Sequence, residues 1–159
     1  MATYDTFDGP RHDLDHYEAI IAELGAGSVL DVGCGTGVLA RRLAARGLTV
    51  VGVDPAEASL GWARAQPGGD SVAWIHGDAA SLPELAVDAA TMTGNVTQVF
   101  LTEDELGAML GGVHQALRPG GVFVFETRDP AVRAWEEWTR DRTYEAADGY
   151  LNIAGMRSI

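Results

Sequence analysis

Lysine is absent from the 159-residue chain, and cysteine occurs only once, as Cys34. A single thiol excludes a disulfide framework within the chain and leaves too few ligands for a structural zinc site, so we predict no metal. No apolar run approaches the ~20 residues of a membrane-spanning helix, and the N-terminal residues lack the basic and apolar regions of a secretory signal. The sequence therefore predicts a cytoplasmic protein with no membrane partner.

Positive charge is also scarce, because 11 basic residues stand against 23 acidic ones and the formal net charge is -12. Such a chain repels a phosphate backbone, so we do not expect nucleic acid as a partner. Hydrophobic residues make up 47% of the chain and charged residues 21%, which is typical of a globular domain with a packed core. We predict one domain over residues 1–159.

Short apolar runs alternate with amphipathic stretches along most of the chain. The predicted strands cover residues 28–32, 48–53, 72–75, 87–92 and 122–125. The predicted helices cover residues 13–24, 38–46 and 56–65, and a fourth follows the capping-box pattern of Thr102 and Glu105 and stops at Pro119. This alternation predicts an α/β fold with a doubly wound, mainly parallel sheet and helices on both faces. Ligands of such sheets bind at the carboxyl ends of the strands.

The C-terminal part is less regular. Asp129 and Pro130 resemble the start of a helix carrying Val132, Trp135 and Trp138. Residues 140–159 then form an abbreviated segment, in which we expect strands that are short or missing. The edge of the fifth strand would be left uncovered, and this predicts a homodimer formed through that edge as one possible assembly.

Residues 29–39, VLDVGCGTGVL, combine a buried strand, a glycine turn and the start of a helix. This arrangement presents backbone N–H groups to a nucleotide-like ligand. Gly33, Gly35 and Gly37 give the spacing GxGxG, whereas a dinucleotide fingerprint has GxGxxG and would need glycine in place of Val38. The carboxylate of Asp31 suits a ligand with a cationic group, which disfavours a nicotinamide-dependent oxidoreductase.

The segment DVGCGTG at residues 31–37 resembles the first motif of the class I S-adenosylmethionine-dependent methyltransferases, and the likeness extends over roughly residues 14–139. The resemblance implies a Rossmann-like methyltransferase fold with S-adenosylmethionine as cofactor and S-adenosylhomocysteine as product. It also implies in-line methyl transfer to a small-molecule acceptor. Two alternatives stay open, an incomplete or non-catalytic cofactor-binding domain and an NAD-dependent oxidoreductase.

The resemblance implies that Asp31 and the glycine turn bind the methionine part of the cofactor. It also implies that Asp54 binds the ribose hydroxyls and that the loop at Asp78 contacts the adenine. The residues assigned to the cofactor are Asp31, Gly33, Cys34, Gly35, Gly37, Asp54, Pro55, Asp78, Ala79 and Thr93. Asp54 could also cap the next helix, and Asp78 could belong to a plain surface turn. Leu60 and Leu82 suit either the adenine faces or the core.

Methyl transfer needs no covalent catalyst, and no catalytic residue is identified. The candidates for a base or a substrate contact are His12, His16, Asn95 and Glu126. The histidines could be polar helix positions, Asn95 could cap a short helix at residues 96–101, and Glu126 could pair with Arg128. Residues 1–25 are predicted to form an N-terminal helix and lid that brings Tyr4, Arg11 and Tyr17 over the cofactor.

Overall fold

The computed structural model describes residues 11–133, 136, 143–145 and 151–153. Five parallel strands form the main sheet in the order β3-β2-β1-β4-β5. The strands are β1 at Ser28–Val32, β2 at Thr49–Asp54, β3 at Val72–His76, β4 at Val87–Met92 and β5 at Leu117–Phe125. The predicted doubly wound parallel sheet is therefore confirmed, with β1 at its centre.

Among the described residues, four α-helices connect or flank these strands. They are α1 at Asp13–Glu23, α2 at Val38–Ala45, α3 at Glu57–Ala65 and α4 at Glu103–Ala116. The capping box of α4 is confirmed, since the Thr102 hydroxyl accepts from the Glu105 amide while the Glu105 carboxylate accepts from the Thr102 amide. Within the described residues, none of the helices is long and apolar enough to cross a membrane.

The two faces of the sheet carry separate cores, as strand alternation requires. On one face Val29 of β1 packs with Leu14 and Ile21 of α1 and with Leu43 of α2. On the opposite face the neighbouring residue, Leu30, belongs to a core that includes Met109 and Val113 of α4. Helices therefore cover both faces of the sheet, in agreement with the prediction.

Helix α1 is fixed to α2 by a buried carboxylate as well as by apolar contacts. Glu18 of α1 is 3% exposed and forms ion pairs with Arg42 and Arg46 of α2. Arg42 also pairs with Asp15 and donates to the backbone oxygen of Arg11. Because α2 opens directly from the glycine turn, these contacts hold the N-terminal helix beside that turn.

The start of β5 differs from the prediction. We expected Pro119 and its glycines to end the helix and the strand to begin at residue 122, but α4 ends at Ala116 and β5 begins at Leu117. Leu117 pairs with Val87, and the register then shifts so that Val122 pairs with Ala89. The residues between them form an irregularity in the strand, which lets Pro119 stand in β5 without breaking it.

The C-terminal elements lie outside the main sheet. Strands β6 at Thr143–Glu145 and β7 at Leu151–Ile153 pair antiparallel in a sheet of their own. The expectation that the C-terminal strands are short is thus met. Of the predicted helix after Asp129, the structure shows a short 3₁₀ turn at Pro130–Val132, while Trp135 and Trp138 fall outside the described residues.

Candidate functional site

Two acidic residues of the central strands lie near the carboxyl edge of the sheet. In the strand register Asp31 of β1 lies between Gly52 of β2 and Thr91 of β4. Asp54 is the last residue of β2. The glycine turn that follows β1 is tied to β2, because the amides of Gly33 and Cys34 both donate to the Val53 oxygen, at 2.9 and 3.1 Å.

Asp31 is a buried carboxyl group, 2% exposed, whose Oδ1 accepts a hydrogen bond from the Thr91 hydroxyl at 3.0 Å. Burial raises the pKa of Asp31 to about 7, the Thr91 hydrogen bond opposes this shift, and the charge of Asp54 adds to it. A nearby cation would favour the ionised form of such a group. The arrangement therefore suits a positively charged ligand group.

The two carboxylate oxygens of Asp54 accept hydrogen bonds from the glycine turn and from the segment just before α3. Its Oδ2 accepts from the Gly35 amide and its Oδ1 from the Ala56 amide, both at 2.8 Å. The alternative in which Asp54 is the N-cap of α3 does not hold, because α3 begins at Glu57 and its N-cap residue is Ala56. The carboxylate instead links the glycine turn to the segment before α3, and each oxygen keeps a second lone pair for a ligand.

The three glycines of the turn all have positive φ angles, of 67°, 54° and 73° for Gly33, Gly35 and Gly37. They differ in what lies beside them. A Cβ atom on Gly33 would meet Val96, and one on Gly37 would meet Trp74, whereas a Cβ atom on Gly35 would have no described atom within 4 Å. Gly35 is therefore the position at which the turn faces open space.

Cys34 lies inside this turn and is half-buried. Burial raises the pKa of its thiol, and the charges of Asp31 and Asp54 raise it further. The thiol therefore stays protonated, which fits a packed residue better than a nucleophile.

The loop after β3 has the predicted acid at an exposed position. Asp78 caps the 3₁₀ turn Ala79–Ser81 by accepting from the Ala80 amide at 3.0 Å, and Ala79 is buried. Sequence reasoning missed Gly112 of α4, on which this turn packs so closely that a Cβ atom there would lie 1.7 Å from the Ala79 oxygen. A signal was present, because adjacent glycines in a helix interior weaken the helix unless something packs against them.

The loop after β4 and the end of β5 join α1 in a polar cluster. Glu126 Oε1 accepts from the Asn95 amide at 2.9 Å, and Oε2 accepts from the Tyr17 hydroxyl at 2.5 Å. Asn95 has a φ of 64° and precedes the 3₁₀ turn Val96–Val99, but its side chain makes no capping bond. Its Oδ1 accepts from Arg128 Nε at 2.9 Å instead.

The other proposed catalytic residues lie in more exposed positions. His12 and His16 are exposed on the first turns of α1 or just before them, and the His12 ring contacts Asp15 at 3.4 Å. Of the predicted lid, Arg11 pairs with Asp13 at 2.9 Å, and Tyr4 falls outside the described residues.

Of the remaining predicted residues, Leu60 and Leu82 belong to the core, and Pro55 and Thr93 directly follow strands β2 and β4. Leu60 is fully buried, and Leu82 packs against the core beneath α4. The exposed Pro55 offers its backbone oxygen to the His76 ring at 3.0 Å, and Thr93 is half-buried at the end of β4.

Comparison with known proteins identifies the family. A methyltransferase domain model matches residues 29–121, which is more than half of the chain. The cypemycin N-terminal methyltransferase of a Streptomyces species is 35% identical over 105 residues, which cover 65% of this chain and 43% of that protein. The chain spans about half the length of the curated relatives it matches.

Solved structures agree with this comparison. The CcbJ methyltransferase from Streptomyces caelestis is 32% identical with a TM-score of 0.69, over 79% of this chain and 56% of that one. CalS10, an amino pentose methyltransferase from Micromonospora echinaspora determined with S-adenosylmethionine bound, is 28% identical with a TM-score of 0.70, over 80% and 56% of the two chains. The chain therefore belongs to the class I S-adenosylmethionine-dependent methyltransferase family.

Proposed function

We propose that this chain binds S-adenosylmethionine and transfers its methyl group to a small-molecule acceptor. The observation that carries the proposal is the placement of Asp31 and Asp54, 2% and 8% exposed, on either side of a glycine turn at the carboxyl edge of the sheet. CalS10, determined with this cofactor and described as acting on an amino pentose, supports both the donor and the class of acceptor.

The residues present fit this cofactor chemically. Asp31 is a buried carboxyl group with a raised pKa, and the ammonium group of the methionine part would stabilise its charge. Asp54 has one free lone pair on each oxygen for the two ribose hydroxyls. Gly35 leaves the open space in which the ligand can approach the backbone.

When bound, the cofactor supplies a methyl group that is already activated by the sulfonium. The protein's part is to align the acceptor with that group and to exclude water. The carboxyl ends of β1, β2 and β4 would hold the cofactor, and the cluster around Glu126 would border the acceptor. Asp78 and Ala79 would contact the adenine ring.

Binding and turnover need separate measurements, because a non-catalytic binding domain is the main alternative. Calorimetric titration of the folded chain with S-adenosylmethionine and S-adenosylhomocysteine should show saturable binding of both, and no heat with either would overturn the proposal. Release of S-adenosylhomocysteine across a panel of small acceptors then tests turnover. NAD is the control ligand, and family membership favours the methyl donor over the nicotinamide alternative.

Two further expectations also stay predictions. One is the cytoplasmic location. The other is a homodimer through β5, for which the exposed Val122 and Phe125 on that strand give some support, at 38% and 48% exposure. Sedimentation of the chain at several concentrations would test the second.

A further inference from the structure

Glu126 joins three parts of the fold at the carboxyl edge of the sheet. It follows directly after β5, accepts from the Tyr17 hydroxyl of α1 at 2.5 Å, and accepts from the Asn95 amide of the loop after β4 at 2.9 Å. The Thr97 hydroxyl also donates to its backbone oxygen, at 2.6 Å. The position of this carboxylate is therefore set by contacts to its side chain and to its backbone.

The loop after β4 contacts both Glu126 and the glycine turn. Val96, which follows Asn95, has its methyl carbons 2.7 Å from where a Cβ atom on Gly33 would lie. Strands β4 and β5 are neighbours, with Met92 opposite Phe125, so Glu126 emerges beside the loop that covers the turn. The carboxylate thus borders the space next to the proposed cofactor site.

The surroundings keep this carboxylate available to a ligand. Burial raises the pKa of Tyr17, and its hydrogen bond to Glu126 raises it further, so the phenol stays a donor. Of the charged groups close by, Arg11 pairs with Asp13, and Arg128 donates to Asn95 Oδ1. An ionised carboxylate has about four acceptor positions, and the Tyr17 and Asn95 donors use one on each oxygen of the half-buried Glu126.

We propose that the methyl acceptor is an amine and that Glu126 binds an N–H group of the reacting nitrogen. The inference rests on the proposed function and names the class of its acceptor. A neutral amine can direct one N–H to the carboxylate and its lone pair toward the methyl group at the same time. The Tyr17 hydroxyl and the backbone N–H of Asn95 act as positioning groups that orient the carboxylate.

The charge changes of the reaction favour an amine over an alkyl hydroxyl. The acceptor nitrogen forms the new N–C bond with its lone pair, while the C–S bond breaks and its electron pair stays on sulfur. The nitrogen becomes positively charged next to Glu126, which stabilises that charge, and the ammonium then releases one proton to water. A hydroxyl acceptor must lose its proton as it reacts, and a carboxylate is too weak a base for an alkyl hydroxyl.

The test measures acceptor binding, without relying on turnover. The full chain is saturated with S-adenosylhomocysteine and titrated with amines and their N-acetyl derivatives, such as glucosamine with N-acetylglucosamine and alanyl-alanine with its N-acetyl form. We expect at least one amine to bind and its acetylated partner to bind at least about tenfold more weakly, since a charge-assisted hydrogen bond is lost. Binding of none of the amines, or equal binding of both partners, would overturn the amine assignment.

A substitution of Glu126 tests whether this side chain is responsible for amine binding. Glu126→Gln keeps the shape and removes the charge, and we expect it to weaken amine binding about tenfold while leaving affinity for S-adenosylhomocysteine unchanged. Glu103→Gln, at an exposed position in the first turn of α4, is the matched control and should change neither affinity. If Glu126→Gln binds the amine as tightly as the wild type, the proposal is wrong.

Tyr17→Phe keeps the carboxylate but removes one orienting donor, and it provides a second test if Glu126→Gln does not fold. We expect a loss of amine binding of severalfold, smaller than that of Glu126→Gln, with the acetylated compounds unaffected. An unchanged amine affinity in Tyr17→Phe would contradict the positioning role. Failure to bind S-adenosylhomocysteine in the wild type would instead overturn the proposed function, so the two failures are distinguishable.

Discussion

The indole ring of Trp74 fills the space that a side chain on Gly37 would need. A Cβ atom at Gly37 would lie 2.2 Å from the ring carbon Cη2. Trp74 is held there by its Nε1, which donates to the Gly69 oxygen at 2.7 Å. The third glycine of the turn is therefore required by packing against β3, whereas Gly35 is the one that faces open space.

Gly37→Ala should destabilise the protein by about 2 to 4 kcal/mol, because it combines an unfavourable φ of 73° with a steric clash against the indole. Gly35→Ala is the matched control, with a similar φ of 54° but no clash, and should cost about 1 to 2 kcal/mol. Urea unfolding of the ligand-free variants measures both values. Equal losses would show that Trp74 moves aside and that the packing argument is wrong.

Asp31→Asn should stabilise the ligand-free protein above neutral pH. Burial raises the pKa of Asp31 from 3.8 to about 7, so between these values the folded state binds one proton that the unfolded chain does not. The free energy of unfolding therefore falls as the pH rises through this window. Asparagine does not titrate, and it can still accept from the Thr91 hydroxyl.

We expect Asp31→Asn to resemble the wild type in stability near pH 4 and to exceed it by about 1 to 3 kcal/mol at pH 8. Denaturant unfolding at a series of pH values measures the difference, with S-adenosylhomocysteine absent. The same substitution should weaken binding of that ligand because the ammonium group loses its carboxylate. A stability difference that does not vary with pH would contradict the assignment of the titration to Asp31.

Asp54→Ala should weaken binding of S-adenosylhomocysteine by about 1 to 3 kcal/mol, because hydrogen bonds from the ribose to a carboxylate are lost. The amides of Gly35 and Ala56 also lose their acceptors. Asp54→Asn is the control for this second effect, since its side-chain oxygen can still accept from one amide. Calorimetry on folded variants gives the affinities, and an unchanged affinity in Asp54→Ala would reduce Asp54 to a turn-stabilising residue.

Glu18→Gln should loosen α1 from α2. The substitution removes the buried negative charge that pairs with Arg42 and Arg46, whose side chains are 33% and 56% exposed and so remain partly solvated. We expect a loss of about 1 to 2 kcal/mol in urea unfolding. Asp15→Asn removes an exposed partner of the same Arg42 and should cost less. A larger effect for Asp15→Asn would show that burial of Glu18 does not matter.

Local patterns in the sequence were enough to predict the parallel sheet and most of the helix boundaries. The apolar runs of β1 and β4 and the capping box at Thr102 depend on neighbours within a few residues, so they could be predicted directly. The start of β5 could not, because the pairing of Leu117 with Val87 extends the strand through Pro119, a residue that local patterns disfavour in strands.

The contacts of the site were harder to predict because distant parts of the chain determine them. Tyr17 and Glu126 are hydrogen-bonded although they are 109 residues apart in sequence. The side chain of Asn95 accepts a hydrogen bond from Arg128 and does not cap the next turn. Asp54 was placed correctly at the end of β2, but the local pattern did not reveal that its carboxylate also accepts a hydrogen bond from the Gly35 amide of the glycine turn. Residue types at strand ends predicted the region of the site, whereas the partners depend on tertiary packing.

The central place of β1 in the sheet has a consequence for synthesis on the ribosome. Strand β2 follows soon after β1, but β4, the other neighbour, begins only at Val87. Until β4 has emerged, the nascent chain carries the most central strand of the final sheet as an open edge, and Asp31 lacks the Thr91 hydroxyl that it later contacts. A chain that pauses before residue 87 would expose that edge to other polypeptides, so this interval is the stage at which aggregation or chaperone binding is expected.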